Sequence, residues 1–251
     1  SKELGKWFHT RRWLWQLLIW LMLINGFVAI MLFVIPMFEA KGLPAVGTGD
    51  TSMVPPEALG FYWAFPLMVM FGIVGAVILA QDEIIQEKQS GTAAWILSKP
   101  AARSAFILTK LLSNLLGALI FILVIPGLIT LGETYLATHK VVPLVPLLSS
   151  LGVAWLALAC YISLTILLGV LFGSRGPVLG IAIGTLVIGR MLAGFLPPLA
   201  YVLPVTLDGA TQVIVMGVPL PAMMVSQVIS TAALTIVFSL VALWRFRKLE
   251  L

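Results

Sequence analysis

The chain has 251 residues, of which 61% are apolar and only 10% charged, with a formal net charge of +5. A water-soluble domain is about half apolar and a quarter charged, so these charges are too few to cover a core in water, and lipid must solvate most of the surface. Cys160 is the single cysteine. It excludes a disulfide within the chain and reads as a small buried hydrophobe.

The first thirteen residues carry Lys2, Lys6, Arg11 and Arg12 ahead of a long apolar run. That run is too long for a signal peptide and lacks a small-residue cleavage site. Leu4, Trp7 and Phe8 fall on one helical face, away from Lys2, Lys6 and His9. This pattern predicts an amphipathic interfacial helix over 1–13, with a plain extension of the first span as the alternative. Six spans follow, at about 14–38, 58–81, 105–132, 147–173, 177–203 and 222–245. Each reaches the ~20 helical residues needed to cross a ~30 Å hydrocarbon core. Pro143 and Pro146 set the start of the fourth near Leu147, and only Arg190 interrupts the fifth. Open strands are excluded, because backbone groups in lipid must pair within their own segment. The fold class is therefore an all-α membrane protein, a single transmembrane domain of six helices.

Orientation follows from Lys and Arg. With the N-terminus inside, twelve basic residues are cytoplasmic: Lys2, Lys6, Arg11, Arg12, Lys88, Lys99, Arg103, Lys110, Arg175, Arg245, Arg247 and Lys248. Only Lys41 and Lys140 lie outside. Both termini are thus expected in the cytoplasm and the chain in the cell membrane. Because the basic residues are split among separate loops, they give no nucleic-acid surface. Trp7, Trp13, Trp15, Trp63, Trp95 and Trp244 sit near the predicted boundaries, as an aromatic belt does.

Most loops are short. The one over 82–103 is the most polar stretch of the chain. Asp82 to Gln89 favours helix, Gly91 breaks it, and Thr92 caps a second short helix ended by Pro100. Residues 41–57 contain Gly42, Gly47, Gly49, Pro55 and Pro56 and read as an irregular outer loop. Pro197 to Pro221 holds five prolines and a single charge, Asp208. Too apolar for a wet loop, it predicts an outer re-entrant hairpin over 204–221 with its backbone covered by protein. An outer gate and a structural plug are equally good readings of it.

Asp82-Glu83, Glu87, Gly91-Thr92, Leu97, Pro100, Arg103 and Lys110 resemble the pattern after the second span of ABC-2 type transporter permeases. The basic N-terminal helix, six spans and cytoplasmic termini match that family along the whole chain. One departure is Lys88, where the family often has Arg. The resemblance implies a type V exporter-like permease fold, the membrane half of an ATP-driven exporter. It implies an ABC ATPase subunit as partner, two copies per complex and binding ATP and Mg, together with a second permease copy or a paralogue. Asp82, Glu83, Glu87, Gly91, Thr92, Pro100 and Arg103 would then couple this chain to the ATPase. The short helices before the last span would dip into the outer leaflet, and spans one and five would meet across the dimer.

Elsewhere the residues agree with such a division of labour. No G-x-x-x-x-G-K-[ST] and no H-E-x-x-H occurs, and His9 and His139 fall on opposite sides of the membrane, so no metal, cofactor or catalytic site is expected on this chain. Arg190 lies roughly 20 Å into its span, where a charge needs a partner or water. Glu133 is its first candidate on depth and Asp208 its second, for a structural ion pair; a substrate contact is the other reading. Gly176, Gly180 and Gly184 form a small-residue face for close helix approach, at the dimer interface or within one protomer. The ten methionines are scattered and read as packing. Asn25, Asn114, Ser163, Thr165 and Thr185 either line a pathway or bond back to their own helices. The function expected is export of a hydrophobic or amphipathic substrate. A scaffold or biogenesis subunit of the same fold, and an unrelated carrier or channel, are the alternatives.

Overall fold

The computed structural model describes residues 17–41, 51–89 and 100–248, without the side chains of 82, 83, 87–89, 100–104, 197 and 200. The interfacial helix expected over 1–13, and Gly91 and Thr92, lie outside the described residues. Among the described residues there is helix and no strand. Six helices are long and apolar enough to cross a membrane: Leu17–Glu39, Pro56–Gln86, Ala105–Thr138, Leu144–Leu171, Arg175–Phe195 and Ala222–Arg247. The protein is a multi-pass membrane protein.

Proline decides where these spans end and how they run. In the first span a π-helical segment, Ile30–Val34, comes just before Pro36. In the third, Leu119–Val124 is π-helical just before Pro126. Proline has no N–H to give to the carbonyl four residues back. In the first span the π turn shifts the hydrogen-bond register ahead of the proline, the Ile35 N–H reaching Ile30 O five residues back, and the helix continues. The third span runs to Thr138, past the 132 expected. Pro146 falls in the first turn of the fourth span, Leu144–Leu171. A missing donor costs nothing there, so the helix starts three residues earlier than predicted. The fifth span stops at Phe195 rather than 203. Leu196 precedes Pro197 and adopts φ −123° and ψ 84°; the proline ring bars the helical conformation to the residue before it. A short helix Pro197–Ala200, a 3-10 turn Pro204–Thr206 and the helix Leu207–Val215 follow. Gly217, at φ 74°, then takes a left-handed conformation that glycine adopts without strain. The sixth span begins after Pro221.

The described helices fall into two compact units. The first comprises the described parts of Ser1–Met70, Leu119–Ala154 and Asp208–Leu220; the second comprises those of Phe71–Ala118, Trp155–Leu207 and Pro221–Leu251. The division falls within the helices of spans two, three and four, at the start of the helix Leu207–Val215 and in the connection before the last span.

In the first unit Ile24, Val28 and Leu32, spaced one turn apart, are buried along the first span. Phe61 and Phe65 pack at 5.5 Å between ring centres. A Cβ on Gly60 would collide with Thr134 Oγ1, so the second and third spans approach through a glycine. In the second unit the Phe106 and Phe246 rings stack at 5.5 Å, with Lys110 Nζ 5.7 Å from the Phe106 ring centre. Gly169 faces Ile84, bringing the second and fourth spans together, and Ser239 Oγ donates to Ser163 Oγ at 3.1 Å.

Candidate functional site

A buried polar constellation joins the first and third spans inside the first unit. Asn25 closes the π segment Leu21–Asn25, where the Gly26 N–H reaches Leu21 O five residues back. The opposing helix begins at Ile125, directly after the π segment of the third span. Asn25 Nδ2 donates to Pro126 O at 3.0 Å, Thr130 Oγ1 at 3.1 Å and Glu133 Oε2 at 3.3 Å. Asn25 is 5% exposed, Thr130 fully buried and Thr134 2% exposed. Thr134 Oγ1 donates to Thr130 O at 2.7 Å. Thr130 lies four residues after Pro126, and Glu133 and Thr134 lie three and four after Thr130, so they share one helical face. Polar groups within a span are costly unless paired, and an ionisable one marks a functional site by default. π turns are frequent at such sites because they re-aim side chains.

A second polar feature of the same unit fixes the helix Leu207–Val215. Pro66 lies inside the second span and deprives the carbonyl of Tyr62 of its helical donor. Gln212 Nε2 supplies one from 150 residues away, at 2.9 Å. Ser150 Oγ donates to Thr211 O at 3.0 Å. The proline-rich segment is thus tied to the second and fourth spans by side chains that satisfy backbone oxygens.

The other anticipated residues belong to several elements. Asp82, Glu83 and Glu87 lie on the last turns of the helix Leu59–Gln89, and Pro100 and Arg103 on the first turn of the helix Pro100–Ala118. Arg190 is on an exposed face of the fifth span, in the second unit, whereas Glu133 belongs to the first. Asp208 is 8% exposed at the start of the helix Leu207–Val215. Gly176 and Gly180 are exposed, and a Cβ at 176, 180 or 184 meets nothing within 4 Å among the described residues. Of the intramembrane polar residues, Asn114, Thr165 and Thr185 bond back to Lys110 O, Tyr161 O and Ala182 O of their own helices. Asn25 crosses to another span instead. Among the described residues no group of three His, Cys, Asp or Glu is placed to hold a metal.

Sequence reasoning singled out Asn25 and Glu133 separately and missed Thr130, Thr134, Gly60 and Gln212. Their signal was available in part, since Glu133 and Thr134 both stand one helical turn after Thr130 in an apolar run. No curated protein and no solved structure matches this chain. A family match covers residues 29–251, nearly the whole chain, and the protein therefore belongs to the family described as a protein of unknown function (DUF2705).

Proposed function

We propose that this chain is the membrane permease subunit of an ATP-driven exporter of the ABC-2 type, with both termini in the cytoplasm. It works with separate ATPase subunits and a second permease copy or paralogue to move a hydrophobic or amphipathic substrate outward. The observation that carries the reading is the length of the second helix. Leu59–Gln89 has 31 residues, about 46 Å at 1.5 Å per residue, against a hydrocarbon core of ~30 Å. Its apolar stretch ends near Ala80, and the helix continues through Asp82, Glu83 and Glu87. The next described helix starts at Pro100. A continuous helix leading out of the membrane into an acidic segment suits a lever on which an ATPase pushes. The pattern from Asp82 to Arg103 resembles the coupling segment of that family, and the lack of a phosphate-cradling P-loop motif leaves ATP and Mg to the partner.

The test is co-expression with the ATPase encoded nearest to it. A stable complex with chain-dependent ATP hydrolysis is expected, and Glu87→Ala should leave the complex assembled while lowering hydrolysis-coupled export at least about tenfold, a coupling loss of ~1.4 kcal/mol. Undiminished export by Glu87→Ala would remove that residue from the coupling segment. Absence of any ATPase complex would defeat the reading.

A further inference from the structure

Donors and acceptors around Asn25 do not balance. The two hydrogens on Nδ2 face three oxygens, Pro126 O, Thr130 Oγ1 and Glu133 Oε2, at 3.0, 3.1 and 3.3 Å. On the other end of the amide, Oδ1 is buried and accepts no hydrogen bond among the described residues. The residue as a whole is 5% exposed. A buried amide oxygen left unpaired is destabilising, and here oxygen is in excess on both sides of one side chain.

The two ends of an amide have nearly the same shape. Turned over about its last torsion, Asn25 would place Oδ1 where Nδ2 stands, some 3.0 to 3.3 Å from the same three oxygens. The protein supplies a single hydroxyl proton there, from Thr130, and a positive charge among these oxygens relieves their repulsion. The 3.0–3.3 Å from the amide position to each oxygen is the separation of neighbouring ligands around a small hard cation whose bonds to oxygen are roughly 2.4 Å long. The donor set is one carboxylate, one amide oxygen, one hydroxyl and one backbone carbonyl, the chemistry hard ions select. The single carboxylate balances one positive charge. Irregular helix accompanies the site on both sides, the π segments Leu21–Asn25 and Leu119–Val124. Helix irregularities at membrane depth commonly supply oxygen ligands to Na⁺.

We propose that Asn25, the Pro126 carbonyl, Thr130 and Glu133 form a binding site for a small monovalent cation of the Na⁺ class, with the Asn25 amide turning over as the ion enters. The ion ties the first span to the third. The site stands independently of the exporter reading, because it needs neither ATP nor a partner.

The full chain in lipid nanodiscs tests it. Unfolding is followed in NaCl, KCl and choline chloride at equal ionic strength and at two pH values, and radioactive ²²Na⁺ binding is measured directly. Na⁺ is expected to raise the unfolding midpoint of the wild type by several degrees, with K⁺ weaker and choline without effect. Glu133→Gln and Thr130→Val, which keep the side-chain shapes, are expected to need at least about tenfold more Na⁺ for the same shift, as ligand-shell substitutions commonly do. Should Glu133→Gln fail to fold, Thr130→Val and ²²Na⁺ binding to the wild type decide. Equal midpoints in Na⁺ and choline, no bound ²²Na⁺, equal effects of Na⁺ and K⁺, or stability that follows pH and ignores Na⁺ would each overturn the proposal.

Discussion

Polar side chains cross between elements in both compact units, but in the first one of them answers a proline inside a span. In the first unit they cross between elements: Asn25 reaches Pro126, Thr130 and Glu133, Gln212 reaches Tyr62 O, and Ser150 reaches Thr211 O. In the second unit Thr165, Thr185, Thr235 and Ser239 donate to carbonyls of their own helices, and aromatic stacking and glycine contacts bring neighbouring spans together. Side chains there cross between elements too: Gln227 Nε2 donates to Thr206 Oγ1 at 2.8 Å, Trp155 Nε1 to Leu115 O at 3.3 Å and Ser230 Oγ to Val202 O at 2.9 Å. Proline accounts for one of the first unit's crosslinks, Gln212 to Tyr62 O, four residues before Pro66. Pro36, Pro66 and Pro126 all interrupt spans in the first unit. Each removes a backbone donor inside a span, and lipid cannot replace it. A shifted register or a side chain must do so, and the side chain then becomes a crosslink.

Four substitutions sharpen or break this contrast, read as unfolding free energies in nanodiscs. The largest loss is expected from Gly60→Val, which drives a side chain into Thr134 and should cost about 1–3 kcal/mol as overpacking does. Gln212→Leu comes next. It leaves Tyr62 O unpaired and should cost roughly 1–2 kcal/mol. The informative variant is the double change Gln212→Leu with Pro66→Ala: the restored N–H at 66 should recover most of that loss, and no recovery would show that proline is not why Gln212 matters. Ser239→Ala in the second unit is expected to cost only about 0.6 kcal/mol, since its hydroxyl also bonds back to Thr235 O. Smallest is Gly180→Ala, whose Cβ enters open space among the described residues and should change protomer stability by less than about 0.5 kcal/mol. If the same change weakens self-association on size-exclusion chromatography, the Gly176, Gly180 and Gly184 face is a dimer surface; unchanged association sets that assignment aside.

The six spans were legible because an uncharged run of some twenty residues has few alternatives in a chain with this composition. Their ends were not, because proline is ambiguous on its own. Pro197 stops a helix, Pro146 starts one, and Pro126 is absorbed by a π turn. Which outcome holds depends on whether a donor arrives from elsewhere, and the donor for Tyr62 O comes from 150 residues away. The candidate site was half legible for the same reason. Glu133 stands out as a charge at the end of an apolar run and Asn25 as a lone amide within one. Their meeting, across 108 residues, is a property of packing, and no local pattern near either residue encodes it. Arg190, conspicuous in the sequence, lies in the unit that does not contain Glu133.

The permease assignment is tested most directly by purifying this chain after co-expression with the ATP-binding subunit encoded nearest to it, then measuring ATP hydrolysis. The account predicts a stable complex whose hydrolysis depends on this chain. A chain that elutes alone, with hydrolysis by the ATPase unchanged by its presence, would contradict it.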